Sequence, residues 1–157
     1  MTGPIKSAAM AKSDATGAVL GDYRVEAQVG FLLRRASQRH TMIFADGMAE
    51  ADLTPTQFTA LVKVVELGQV TQNHLGRLAA MDPATIQGVV RRLIDRGLVA
   101  RADDPMDRRT IVLAPTEAGV TLAGQAVQAG RRITEATLDP LDAAERAALL
   151  SLLRKIA

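Results

Sequence analysis

Gly97-Leu98-Val99-Ala100-Arg101-Ala102-Asp103-Asp104-Pro105-Met106-Asp107-Arg108-Arg109-Thr110-Ile111-Val112-Leu113-Ala114 is the stretch that changes the period of this chain. On either side of it, apolar residues recur at helical steps of three and four. Within it, Leu98 to Arg101 and Thr110 to Ala114 are short apolar runs. Between them lies the polar segment Ala102 to Arg109, with Asp104-Pro105 as turn chemistry. Two such runs around a polar tip predict a β-hairpin.

Working back from the hairpin, Gly97 closes a helix that Asp82-Pro83 opens, since Asp caps and Pro suits the first helical position. Its apolar stripe is Ile86, Val89, Val90 and Leu93. A break at Ala80-Met81 separates it from a short helix capped by Thr71, with Leu75, Leu78 and Ala79 facing inward. Before that, Thr54-Pro55 starts a helix with the stripe Phe58, Leu61, Val62 and Val65, ended by Gly68. A long amphipathic helix precedes it from about Asp22 to Asp46, striped by Val25, Val29, Leu32, Leu33, Ala36, His40, Ile43 and Phe44. Beyond the hairpin, a helix from about Thr116 to Leu138 contains Gly119, Gly124 and Gly130, which weaken it or allow close packing. Asp142 caps a last helix carrying Leu149, Leu150, Leu152, Leu153 and Ile156. The order predicts a mainly α chain with a small β-hairpin wing: a winged helix-turn-helix at about 54–114, within one domain at 22–157. Residues 1–21, rich in Gly, Ala, Ser and Thr, read as a flexible arm.

Composition removes several classes of function. The 157 residues contain no cysteine, so disulfides, thiolate metal sites and thiol catalysis are excluded. The two histidines, His40 and His74, stand far apart and make a poor zinc site, so no metal and no cofactor are expected. There is no Ser/His/Asp grouping or phosphate-cradling glycine loop, and an enzyme is not expected. No apolar run reaches membrane length, and the start lacks a signal-peptide core, so the expected location is cytoplasmic, with no membrane partner. The net charge is only +2, but all of that excess lies in residues 71–114, where every basic side chain is arginine. Arginine is suited to bidentate phosphate and base contacts.

The helix opened by Asp82 has a second face: Ala84, Gln87, Gly88, Arg91 and Asp95, flanked by Thr85 and Arg92. In a helix-turn-helix the second helix lies in the major groove. There Gln can pair with adenine and Arg with guanine, and small Gly88 lets the backbone approach base edges. A plain solvated face is the alternative. Arg108 and Arg109 at the hairpin tip suit a narrow minor groove, with an ordinary polar turn as the alternative. His74 reads as a phosphate-contacting or surface residue.

Residues 71 to 119 resemble the core of the MarR family of transcriptional regulators. Gly97-Leu98-Val99, then Asp104-Pro105-Met106-Asp107-Arg108-Arg109, then Thr116-Glu117-Ala118-Gly119 are similar to that family's wing signature. The helix order extends the resemblance over most of the chain. It departs at Pro115, where the family usually has Leu. The resemblance implies a homodimer built from helices at about 22–46 and 116–156, with two reading helices in successive major grooves of a palindrome on double-stranded DNA. It also implies a small-molecule effector, often an aromatic carboxylate, in a crevice lined by the first two helices. Candidate effector contacts are Arg34, Arg35, Arg39 and His40, with Phe44, Phe58 and Leu61 as apolar walls. A hydrogen-bonded core histidine and solvated arginines are the alternative. Gln72 to Arg77 and Val29 to Ala36 resemble a subgroup controlling aromatic-acid breakdown, which includes responders to acyl-CoA thioesters. The expected function is a repressor released from DNA by an aromatic acid or its CoA thioester. The rival is a winged-helix protein-interaction module that does not bind DNA.

Overall fold

Five of the helix starts read from the sequence are set by a side chain that accepts a hydrogen bond from the first turn. In the computed structural model, which describes residues 19–103 and 111–157, Thr54, Thr71, Asp82, Thr116 and Asp142 each do so. The chain divides into two units after Gln38.

In the first unit a 3-10 turn, Val25–Ala27, is followed by Gln28 in extended conformation (φ −77°, ψ 140°). Helix α1 (Val29–Gly47) therefore starts at Val29, not near Asp22. Gln28 closes the earlier turn twice, donating its N–H to Val25 O (3.1 Å) and its amide Nε2 to Arg24 O (3.1 Å). With β-branched Val25 and Val29 and flexible Gly30 around it, the segment has little intrinsic tendency to continue as one helix. Val29, Leu32 and Leu33 are exposed in the single chain.

The second unit holds the end of α1 and the remaining elements. Helix α2 (Pro55–Leu67) has a capping box: Thr54 Oγ1 accepts from Gln57 N, and Gln57 Oε1 accepts from Thr54 N (3.0 Å). Gly68, at φ 72°, ends it. Its buried face is Gln57, Ala60, Leu61 and Val64, rotated from the expected stripe, so that Phe58, Val62 and Val65 are half-buried.

Helices α3 (Gln72–Leu78) and α4 (Pro83–Asp95) form the helix-turn-helix. The turn is a Schellman-type cap, with Met81 N–H donating to Gly76 O (2.9 Å) and Ala80 at φ 51° where glycine is usual. Leu78 is 43% exposed, against expectation. The inner face runs through Leu75 and Gly76, where a Cβ would stand 3.2 Å from Ile86 Cγ2. Gly97, at φ 67°, allows the chain to leave α4, with Leu98 N–H donating to Leu93 O (2.9 Å).

Strands β1 (Val99–Asp103) and β2 (Ile111–Pro115) pair antiparallel, from Val99 opposite Pro115 to Asp103 opposite Ile111. Leu113 also exchanges two backbone hydrogen bonds with Val70 (3.0 and 2.8 Å), which pins the hairpin stem to the start of the helix-turn-helix. The hairpin tip lies outside the described residues, as does the expected arm up to Ala18.

Helix α5 (Glu117–Leu138) starts cleanly despite Pro115. Thr116 Oγ1 donates to Gly97 O (2.7 Å) and accepts from Gly119 N (3.0 Å). The buried face of α5 is built of small residues, Gly119, Ala123, Ala126 and Ala129, ending in Ile133. Close packing is what two of its glycines allow: a Cβ on Gly119 would stand 2.0 Å from Leu98 O, and one on Gly130 3.0 Å from Phe58 Cζ, while one on Gly124 would meet nothing within 4 Å. Helix α6 (Ala143–Ile156) has no buried residue, and Leu152 and Ile156 are 58% and 68% exposed. No helix among the described residues is long and apolar enough to cross a membrane.

Candidate functional site

Helix α4 presents two chemically distinct faces. Ile86, Val89, Val90 and Leu93 are buried in the core, while Thr85, Gln87, Arg91 and Arg92 are exposed. Gln87, Arg91 and Arg92 make no side-chain hydrogen bond or ion pair among the described residues. Gly88 lies between Gln87 and Arg91 in the helix interior, where glycine costs about 1 kcal/mol relative to alanine. A Cβ there would meet nothing within 4 Å, and its φ is not positive. Packing among the described residues gives no reason for glycine at this position. His74 is exposed on α3, and its backbone N–H donates to Thr71 Oγ1. Arg108 and Arg109 lie outside the described residues.

The N-terminus of α4 is already occupied. Asp82 accepts from Ala84 N (3.0 Å), from Thr85 N (2.9 Å) and from the Thr85 hydroxyl. These amides are the ones an incoming phosphate would need. The Thr85 hydroxyl, followed by its backbone N–H, holds the Asp82 carboxyl below the usual carboxylate range. A depressed carboxylate stabilises the fold above its ordinary pKa, and that contribution is lost as pH falls through the lowered value. Amide-exchange protection at Ala84 and Thr85, corrected for intrinsic rates, is therefore expected to drop as pH falls below about 4. In Asp82→Ala it should be low throughout. An equal acid response in both proteins would assign the effect to a different group.

The candidate effector residues are sorted by the structure. Arg34 and Arg35 are exposed in the first unit, where the Arg34 guanidinium stands 5.1 Å from the centre of the Phe31 ring. In the second unit Arg39 donates both arms of its fork to carbonyls at the end of α5, Thr137 O and Ala136 O. That is a helix C-cap by a cation, with favourable dipole alignment. His40 shares a 3.0 Å hydrogen bond between Nδ1 and Thr137 Oγ1. The Thr137 hydroxyl donates to Ile133 O (2.8 Å), so its oxygen accepts here and Nδ1 carries the proton. His40 is tilted against Phe44 and Phe44 stands edge-on to Phe58, with ring centres 6.1 and 6.0 Å apart. Leu61 is completely buried in the core.

Phe44 also lines a crevice of about 240 Å3 with Thr41, Met48, Leu53 and Thr54. This falls below the usual range of about 300–1,000 Å3 for drug-sized ligands. Met48, Leu53 and Thr54 were not legible as lining residues, since they belong to a turn without periodicity. No group of three or more metal-ligating side chains occurs among the described residues.

Comparison with known proteins places these features in a family. Residues 51–110 match the family model described as MarR family. The chain is 42% identical over 134 residues to the HTH-type transcriptional repressor NicR of Pseudomonas putida, covering 85% of both chains. The crystal structure of a probable transcriptional regulator from Pseudomonas aeruginosa superposes with TM-score 0.81 at 44% identity, over 85% of this chain and 100% of that one. BpsR of Bordetella bronchiseptica, whose DNA binding is regulated by 6-hydroxynicotinic acid, superposes with TM-score 0.81 at 39% identity, over 87% and 97%.

Proposed function

This chain belongs to the MarR family of transcriptional regulators, and from that premise we propose that it is a homodimeric repressor released from duplex DNA by an aromatic acid. The observation that carries the DNA reading is Gly88. A helix-interior glycine with no packing reason among the described residues, between Gln87 and Arg91 that have no side-chain partner there, suits a backbone that comes close to base edges. Arg92 and His74 flank that face as phosphate contacts, Thr85 reaches DNA only if Asp82 releases its N–H and hydroxyl, and Arg108 and Arg109 are proposed as minor-groove contacts. The exposed apolar face of α6 supports a second copy as its cover.

A free aromatic acid is favoured over its CoA thioester. The crevice beside Phe44, about 240 Å3, is small for a CoA moiety, and Arg39, one of the candidate effector contacts, is committed to Ala136 and Thr137. The relative BpsR responds to such a single-ring acid. Ligand and DNA then favour different populations of the dimer, and the coupling energy is their difference in affinity.

The test is fluorescence anisotropy of the full chain with the duplex upstream of its own gene and a scrambled duplex, across a salt series, with and without 6-hydroxynicotinic acid. The expected result is preference for the upstream duplex, affinity falling linearly in log–log with salt, and release by the compound. Equal weak binding to both duplexes at low salt would remove the DNA reading and favour a protein-interaction module. Specific binding with no response to this acid or to other single-ring aromatic acids would remove the effector reading alone.

A further inference from the structure

The turn that joins α1 to α2 is held from two sides. From one side, Ala51 N and Asp52 N both donate to Met48 O (3.1 and 3.0 Å), and Met48 N donates to Phe44 O (2.9 Å). Phe44 and Met48 line the crevice, so the turn's backbone hangs on the residues that a ligand there would displace. From the other side, the Arg96 fork donates to Asp52 O and to Ala51 O (3.1 Å). Arg96 is the C-cap of α4, and its own N–H donates to Arg92 O (3.1 Å). A second groove, lined by Gln57, Arg92, Asp95 and Arg96, shares Asp52 and Thr54 with the crevice. The short segment 52–54 is thus the wall between the two.

We propose that Arg96 is the positioning residue that passes occupancy of the Phe44–Met48 crevice to the reading helix, through its two-pronged hold on the Ala51 and Asp52 carbonyls. This role presupposes the ligand-released DNA binding proposed above. A planar guanidinium gripping two successive carbonyls fixes orientation as well as distance, which a point donor does not. Asp52 sits at φ 50°, so the turn has little room to adjust by itself. Movement of Met48, a flexible side chain, then changes the direction of the carbonyls that Arg96 follows. Helix α4 moves with its C-cap, and Arg91 and Gln87 leave their register on the groove.

The experiment compares the full chain with Arg96→Lys, which keeps the charge but loses the fork, and with Arg96→Ala. Three quantities are read: the affinity of the free protein for 6-hydroxynicotinic acid, operator affinity without it, and the ratio of operator affinities without and with saturating compound. For Arg96→Lys, ligand affinity and basal operator affinity are expected to stay within about three-fold of the parent, while the ratio falls toward one. The lost ratio, not a melting temperature, separates coupling from mere support of the fold. Variants that keep the full ratio overturn the role of Arg96 and leave the effector reading standing. Loss of ligand affinity in both variants overturns it too, since Arg96 would then belong to the binding site. If neither variant folds, Arg96 is a structural staple and the role falls. A parent protein whose DNA binding ignores the compound removes the effector reading, and this role with it.

Discussion

Gly119→Ala is expected to destabilise the chain by about 3 kcal/mol, the upper end for overpacking. The added methyl would meet Leu98 O at 2.0 Å, and that atom belongs to the backbone, so no rotamer change relieves the clash. Leu98 O already accepts from Thr116 N (3.1 Å), and Leu98 N closes the end of α4 on Leu93 O. Displacing it disturbs three junctions at once: the stop of α4, the start of β1 and the cap of α5. Thermal unfolding at fixed protein concentration should show a midpoint lower by about 6–12 °C, from about 2–4 °C per kcal/mol for chains of this size. Gly124→Ala is the control, because a Cβ there meets nothing within 4 Å. It should be neutral or more stable by up to about 1 kcal/mol. A Gly119→Ala protein that melts with the parent would mean that α5 has more freedom to shift than its close approach implies.

Arg91→Ala is expected to weaken operator binding by about 1–3 kcal/mol, roughly 5- to 150-fold, if its fork reads a guanine edge. Stability should change little, because Arg91 is exposed and makes no ion pair among the described residues. Operator titrations with each base pair of one half-site changed in turn would show relaxed discrimination at one position. Uniform weakening across all sequences, with a smaller salt slope, would make Arg91 a phosphate contact instead. Gly88→Ala gives a companion result with opposite signs. The helix should gain up to about 1 kcal/mol in intrinsic preference while DNA affinity falls, since the methyl occupies space that is open only in the free protein.

Local chemistry made most of the fold legible in the sequence. Thr54-Pro55, Asp82-Pro83, Thr116 and Asp142 mark helix starts because the cap and the first turn lie within a few residues of one another. Gly68 and Gly97 mark ends for the same reason. What escaped depends on partners far along the chain. The bridge from Val70 to Leu113 involves one residue with no period to detect. The buried face of α2 turned toward Ala60 and Val64, beside Leu61, because α3, α4, α5 and β2 all pack on that helix. Val29 replaced Asp22 as the start of α1 because Gln28 satisfies the preceding turn with its own side chain.

The candidate sites divide in the same way. The reading face of α4 follows from spacing alone, since a helix must turn residues 87, 88 and 91 away from residues 86, 89, 90 and 93. The effector residues needed the fold. Arg39 resembles a ligand's anion site in the sequence, yet it serves the carbonyls of a helix end almost a hundred residues later. The hold of Arg96 on Ala51 and Asp52 has no signal in the sequence, because its acceptors are backbone atoms that any residue supplies.

Ala80 bears on how this molecule can move. A left-handed alanine costs about 1–2 kcal/mol that glycine would avoid, but it also narrows the backbone angles open to the turn. Gly76 sits hard against Ile86 beneath the same turn, so contact as well as covalent geometry sets the angle between α3 and α4. The pair is therefore built as a stiff lever with its fulcrum elsewhere. A force on one helix is then passed to the other, with little give at the turn between them.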